Sequence, residues 1–250
     1  MNIDVVATDL GSLPGGGFEE ETPIFRSSQS LLDSDTRNAD GYLDLSFGDK
    51  LAFQVDGVIS AEESERLIAF TEELGFRAAA PGIQTPPGMR QNTTVHWMVH
   101  PKDAETLYGR IASFIPPVLE GRENMQALSH RFNTYRYVAG QQFRPHLDGD
   151  WPGYCVNPKT HHLEYWKTGR SMLSMLLYLN GQKEGVEGGD TLLLEAGRVV
   201  ERVMPRRGRA LFFRHGIHPL SVLHAGDVLG EGTPKYVIRI NIMYHSEAVG

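Results

Sequence analysis

The spacing of apolar and polar residues divides the chain into stretches of different texture. Residues 1 to about 48 are rich in Gly, Ser, Asp and Glu and keep no sustained period. This predicts a flexible N-terminal arm, with packing as an added strand or over a site as the alternative. Leu51-Ala-Phe-Gln-Val-Asp-Gly-Val-Ile then reads as a short strand running into a turn. Ser60 fits a helix N-cap and Glu63 the third helical position, a reciprocal capping box. Leu67, Ile68, Phe70 and Leu74 stripe one face of that helix, and Gly75 ends it. A second helix is predicted from Pro101 to Phe114, with Leu107, Ile111 and Phe114 on one face and Pro116-Pro117 as the stop.

From about Leu128 the texture is that of strands. They are predicted near Arg131–Tyr137, Phe143–Asp148, Ser171–Leu179, Thr191–Leu194, Val199–Met204, Ala210–Phe213 and Tyr236–Tyr244, separated by Gly, Pro and Asp turns. Many short strands after two helices predict a mainly β fold, a double-stranded β-helix (jelly roll) with supporting N-terminal helices. The expected organisation is an arm over 1–48 and one domain over 49–250, with helical support at 60–119 and a jelly-roll core at 128–246.

Composition narrows the function classes. At 250 residues and 40% apolar content the chain can bury one sizeable core. A net charge of −7 argues against non-specific nucleic-acid binding, which needs clustered Lys and Arg; Arg206, Arg207 and Arg209 do cluster, and a solvated turn accounts for them. The chain holds no apolar run of membrane-spanning length and begins with no basic n-region, so neither a membrane span nor a secretory signal is expected. Cys155 is the sole cysteine, which excludes an internal disulfide and predicts a reducing, cytoplasmic setting.

The chemistry begins at Phe143-Arg-Pro-His-Leu-Asp. Residues i and i+2 of a strand share a face, so His146 and Asp148 project together. A second His from a distant strand would complete a two-His, one-carboxylate set with other metal positions open, the arrangement of non-haem Fe(II) oxygenases. A lone His-x-Asp carries little weight in a chain with 10 His. His215, His218 and His224 are the candidates for the third ligand.

An ordered set of motifs adds the weight. Tyr137-Val-Ala-Gly140 precedes His-x-Asp, and Gly188-Gly-Asp-Thr191 leads into Leu192-Leu-Leu194. Gly208-Arg-Ala-Leu-Phe-Phe precedes the His cluster, His224-Ala-Gly226 follows, and Lys235 opens a last strand running through Arg239 to Tyr244. With these motifs in this order, the chain resembles the prolyl-4-hydroxylase-like branch of the 2-oxoglutarate/Fe(II) dioxygenases. The resemblance covers roughly residues 128–245 and extends more weakly upstream through Arg90-Gln-Asn92 and the two helices.

The resemblance implies Fe(II) held by His146, Asp148 and His224, the last at the family's His-x-Gly position with Ala225 where Glu is common. It implies 2-oxoglutarate and O₂ as co-substrates, ascorbate as a candidate reductant, and oxidative decarboxylation to succinate and CO₂ coupled to hydroxylation or a related C–H oxidation. Asp148 argues against halogenation, because related halogenases lack that carboxylate. The far carboxylate of 2-oxoglutarate requires a buried cation. Lys235 falls at the family position, although its interval from His224 is one residue longer than usual, with Pro234 as the insertion. Arg239 shares its strand face, and a guanidinium can grip a carboxylate with two bonds; both stand as candidates, with Lys235 ahead. Tyr137 and Tyr178 match family positions that face the co-substrate, Thr191 can add a hydroxyl, and Tyr135 shares the face of Tyr137.

The long segment after Asp148 carries Trp151, Tyr154, Tyr165 and Trp166 without strand alternation and is expected to act as a substrate lid. Arg90 and Asn92 complete the substrate candidates. The expected partner is a small molecule or a peptidyl or free amino acid, with neither nucleic acid nor membrane involved. The rival reading is a cupin-like jelly-roll metalloprotein that does not use 2-oxoglutarate; the Lys235/Arg239 strand separates the two, since a cupin has no need for it. No G-x-S-x-G elbow is present, which disfavours a Ser hydrolase.

Overall fold

A computed structural model of the protein describes residues 3–13, 19–34, 39–82 and 85–245. The chain opens with strands β1 (Ile3–Ser12), β2 (Glu19–Ser27), β3 (Asp40–Asp44) and β4 (Ala52–Asp56). Helix α1 spans Ala61–Leu74, and β5 (Ala80–Pro81) and β6 (Thr93–Met98) lead to helix α2 (Pro101–Ile111). Then follow β7 (Val118–Leu119), β8 (Arg122–Leu128), β9 (Arg131–Tyr137), β10 (Phe143–His146), β11 (Pro152–Val156) and β12 (Leu163–Tyr178). The last strands are β13 (Thr191–Glu195), β14 (Arg198–Val203), β15 (Ala210–Arg214), β16 (Leu223–Gly226) and β17 (Lys235–His245).

The strands form two sheets. The smaller has the order β10-β16-β13-β14; the larger runs β3-β4-β15-β12-β17-β9-β6-β2-β1-β5, with β11 on β12 and β8 on β17. The two sheets close a jelly roll, the mainly β architecture predicted from the short strands. β17 lies at its centre and reads as two interleaved sets. Ile238, Ile240 and Ile242 pack into one core with Leu67, Phe70, Trp97 and Leu107, on the helix side. Val237 faces the other way, into the core between the sheets with Leu176, Leu193 and Phe213. Period-two alternation therefore places Lys235 and Arg239 on the inward face.

The helices form as their sequences dictate. Ser60 Oγ accepts from the Glu63 amide at 3.1 Å, and Glu63 accepts from the Ser60 amide at 2.7 Å. Gly75 closes α1 at a φ of 80°. Glu63 also meets Arg110 of α2 at 2.7 Å in a fully buried pair. Burial opposes ionisation of Glu63, but the hydrogen bonds from Arg110 and two backbone amides hold its carboxyl below the usual range.

The stretch expected as a flexible arm contributes regular structure. β1 and β2 pair as a hairpin, and β2 joins the larger sheet parallel to β6, with Phe25 opposite Trp97. Asp103 of α2 accepts from the Leu31 amide at 2.7 Å. These partners lie some seventy residues away, so local composition carries no trace of them. The aromatic segment after Asp148 likewise differs from the irregular lid expected. It folds into a hairpin in which Tyr154 opposes Tyr165, closed by Asn157, whose side chain accepts from the Lys159 and Thr160 amides. β12 thus starts well before the predicted Ser171. β6, β8 and β16 were not expected as strands either. β6 is buried on nearly every residue and β16 is only four residues long, so neither displays clean alternation. No helix among the described residues is long and apolar enough to cross a membrane.

Candidate metal centre

β10 and β16 set His146 directly opposite His224, with ring centroids 4.2 Å apart. Each ring is oriented through Nδ1, which faces a backbone carbonyl: Arg144 O at 2.7 Å and Val222 O at 3.2 Å. A carbonyl only accepts, so Nδ1 carries the proton and Nε2 keeps its lone pair. Asp148 Oδ1 lies 3.8 Å from His146 Nε2, and Oδ2 lies 3.9 Å from His224 Nε2. One ligand atom from each of the three residues lies within 4.8 Å of the others. Burial favours the neutral imidazoles and pushes His146 down to about 3, with His224 lowered as well.

Asp148 lies beyond the end of β10, so side chains position it. Arg239 Nε donates to Oδ2 at 2.8 Å and Ser174 Oγ at 2.5 Å. Burial opposes its ionisation, but the Arg239 guanidinium and the neighbouring imidazoles hold the carboxyl far below its usual range. Having given its proton to Asp148, Ser174 accepts from His215 Nδ1 at 2.8 Å, and His215 Nε2 accepts from Ser171 at 2.9 Å. His215 is thus committed to orienting Ser174. His218 lies at the surface, 3.7 Å from Glu120. Of the three candidates for the third ligand, the fold brings only His224 to the cluster.

The same cavity is lined by Lys235. Its ammonium donates to Gly189 O at 2.6 Å and sits 4.4 Å from the centre of the Tyr137 ring. Gly189, at a φ of 67°, lets the backbone approach: an added Cβ would lie 2.7 Å from Leu229 and 3.5 Å from Lys235 Nζ. Among the described residues no carboxylate pairs with Lys235; Asp190 and Asp227 act at longer range, and burial lowers the ammonium to about 8. Arg239, in contrast, is closed on Asp148 and on Gly149 O at 3.4 Å. Tyr135, Tyr137 and Thr191 line the cavity, whereas Tyr178 stands behind and donates to Thr191 Oγ1 at 2.7 Å.

The expected substrate residues separate. Trp151 and Tyr154 line a smaller neighbouring cavity together with His96, Arg131, Asn133 and Asn241, and Arg239 lines both. Trp166 packs over Gly153 and edge-on to His130, where it braces the β11–β12 hairpin. Arg90 is buried and donates to the Asn92 and Ala78 carbonyls at 2.8 and 2.5 Å, stiffening the approach to β6. Sequence reasoning missed Ser174, His96, Arg131, Asn133 and Asn241. The signal available for two of them was the alternation Arg131-x-Asn133-x-Tyr135-x-Tyr137.

Fold and cluster together define a jelly roll in which two imidazoles and one carboxylate converge at the centre. Residues 132–243 match the model of the 2OG-Fe(II) oxygenase superfamily. The cupin alternative finds no support in this match. A search of curated proteins by sequence finds no match. Among solved structures, the fold is similar to the viral collagen prolyl hydroxylase of Paramecium Bursaria Chlorella virus-1 in its 2OG complex, at 18% identity over 77% of this chain and 95% of that one, with a TM-score of 0.50. It is also similar to the Trichoplax adhaerens prolyl hydroxylase in complex with a hypoxia-inducible-factor peptide, at 14% identity over 78% and 82%, with a TM-score of 0.51. These similarities are similarities of fold.

Proposed function

We propose that His146 Nε2, Asp148 Oδ1 and His224 Nε2 hold Fe(II), that Lys235 binds the far carboxylate of 2-oxoglutarate, and that the enzyme hydroxylates a C–H bond of a small molecule or of a free or peptidyl amino acid. The observation that carries this reading is one cavity holding both a converging His–Asp–His set and a buried ammonium without a carboxylate partner. Two neutral imidazoles and one ionised carboxylate are a donor set suited to Fe(II). When bound, the metal with O₂ supplies the oxidant that decarboxylates 2-oxoglutarate and attacks the substrate.

The chain's own residues do the rest. Arg239 and Ser174 fix Asp148 through Oδ2 and leave Oδ1 toward His146. The Phe143 ring stacks on His146 at 3.7 Å and, with Leu176 and Val237, keeps water from the co-substrate. Lys235 sets its orientation, helped by the Thr191 hydroxyl and by Tyr137. A cytoplasmic setting belongs to the same reading and is supported by the unpaired Cys155.

The test is anaerobic titration of the apo-protein with Fe(II) and 2-oxoglutarate, watching for the weak visible charge-transfer band of the chelate. The band is expected in the wild type and absent in His146→Ala. Iron binding without the band would overturn the reading.

A further inference from the structure

The inward face of the larger sheet continues past the metal cluster. Along β9 and β17, Lys235 lies opposite Tyr137, Val237 opposite Tyr135, and Arg239 opposite Asn133. His96 of β6 is opposite Asn133 on its other side. Asp148 meets this face at Arg239. The co-substrate cavity therefore occupies one half of the face. A second, narrower cavity lined by His96, Arg131, Asn133, Trp151, Tyr154 and Asn241 occupies the other.

Several buried polar side chains that line that second cavity carry unsatisfied groups. His96, Arg131, Asn133 and Asn241 are each more than nine-tenths buried. His96 Nε2, Arg131 Nε, Asn133 Oδ1 and Asn241 Oδ1 have no hydrogen-bond partner. Arg131 Nη2 donates to Pro81 O at 2.8 Å and to His96 Nδ1 at 2.9 Å. His96 Nδ1 is thus an acceptor, which leaves Nε2–H as a free donor. The Arg131 guanidinium faces the Tyr154 ring at 5.1 Å. Among the described residues no carboxylate pairs with Arg131, and Asp9 reaches it only at longer range. Burial and the guanidiniums of Arg131, Arg90 and Arg239 keep His96 neutral. Among the described residues, Arg239 alone of these three cations meets a carboxylate, that of Asp148. A buried cation without a counter-charge is costly and marks a place for an anion. Unpaired amide oxygens beside it mark a place for N–H donors.

We infer that this cavity is the primary-substrate subsite and that it takes a free α-amino acid. The carboxylate sits on Arg131 with His96 Nε2–H as second donor, the ammonium faces Asn133 and Asn241, and the side chain runs past Trp151 toward the metal cluster. The inference rests on the Fe(II)/2-oxoglutarate reading above. Arg131 is two strand positions, about 7 Å, from the residue opposite Arg239, so side-chain carbons rather than the α-carbon meet the oxidant. One oxygen atom of O₂ enters the substrate C–H bond, and the other enters the new carboxylate of succinate as CO₂ leaves.

The test uses anaerobic protein loaded with Fe(II) and 2-oxoglutarate, titrated with the free L-amino acids, their carboxamides, their N-acetyl derivatives and a proline-containing peptide. Binding is followed by calorimetry and by perturbation of the charge-transfer band. At least one free amino acid is expected to bind, with its carboxamide and N-acetyl forms weaker by on the order of a hundredfold. Arg131→Gln is expected to abolish the discrimination against the carboxamide. If that variant fails to fold by circular dichroism, Asn241→Leu must lose the discrimination against the N-acetyl form. Equal affinity for acid and carboxamide overturns the inference, as does tight binding of the peptide with none of the free acids. If the charge-transfer band never forms, the earlier reading fails, and calorimetry of the metal-free protein with the same ligands still decides this one.

Discussion

The two faces of β17 put burial to different uses. On the helix side, Ile238, Ile240 and Ile242 meet an apolar layer, and the nearby buried charges, Glu63 and Arg110, close on each other at 2.7 Å. On the inward side, Lys235 and Asn241 are likewise enclosed, yet among the described residues Lys235 has a carbonyl and a ring face but no carboxylate, and Asn241 Oδ1 has no hydrogen-bond partner. Burial with closed polar groups serves the fold. Burial with open ones carries a cost that a ligand can relieve.

Variants can break that contrast. The largest effect is expected inward: His146→Ala or Asp148→Ala should lower succinate formation by a factor of about 10³ or more, with the melting temperature little changed. A variant that turns over normally removes the ligand assignment. On the helix side, Arg110→Ala leaves Glu63 buried and unpaired and should cost about 3–5 kcal/mol of stability, read by denaturant unfolding, with turnover per folded molecule retained. If unfolding is unaltered, the closed pair does not hold the helix layer.

Smaller changes sharpen the inward side. Lys235→Ala should weaken 2-oxoglutarate binding by on the order of a hundredfold and leave Fe(II) affinity near wild type. Arg239→Ala should instead weaken Fe(II) binding by about 10–100-fold, because it acts through Asp148. Reversed outcomes in equilibrium titrations would exchange the two roles. The mildest probe is pH. Burial lowers Lys235 to about 8, and the ammonium must be charged to hold an anion. The 2-oxoglutarate dissociation constant should therefore be flat below about pH 8 and rise above it, by up to about tenfold per unit. A flat profile through pH 9 would exclude Lys235 as the binding cation.

The contrast also explains what was readable from sequence. The α1 capping box, the His146-x-Asp148 pair and the inward set on β17 are local patterns, set by helical or strand period. His224 and Lys235 needed the order of several motifs, because no local spacing ties them to His146. The separation of Lys235 from Arg239 depended on a partner 91 residues from Arg239, the carboxylate of Asp148. The second cavity was out of reach for the same reason: His96 and Arg131 meet across 35 residues, through the register of β6 and β9. The β1–β2 hairpin is polar along much of its exposed side, and only its pairing to β6 reveals it as part of the sheet.

β10 is fastened to the smaller sheet at two register positions, Phe143 opposite Gly226 and His146 opposite His224, with an irregularity between them. Under the proposed ligand set, the second of these pairs is also the pair of imidazole ligands. A cation gripped by both rings then acts as a rivet across the edge of the barrel. Slipping β10 by one residue would turn His146 to the opposite face and leave the rivet without its hole. Binding of a cation by this set would then require the register in which Phe143 faces Gly226 and His146 faces His224.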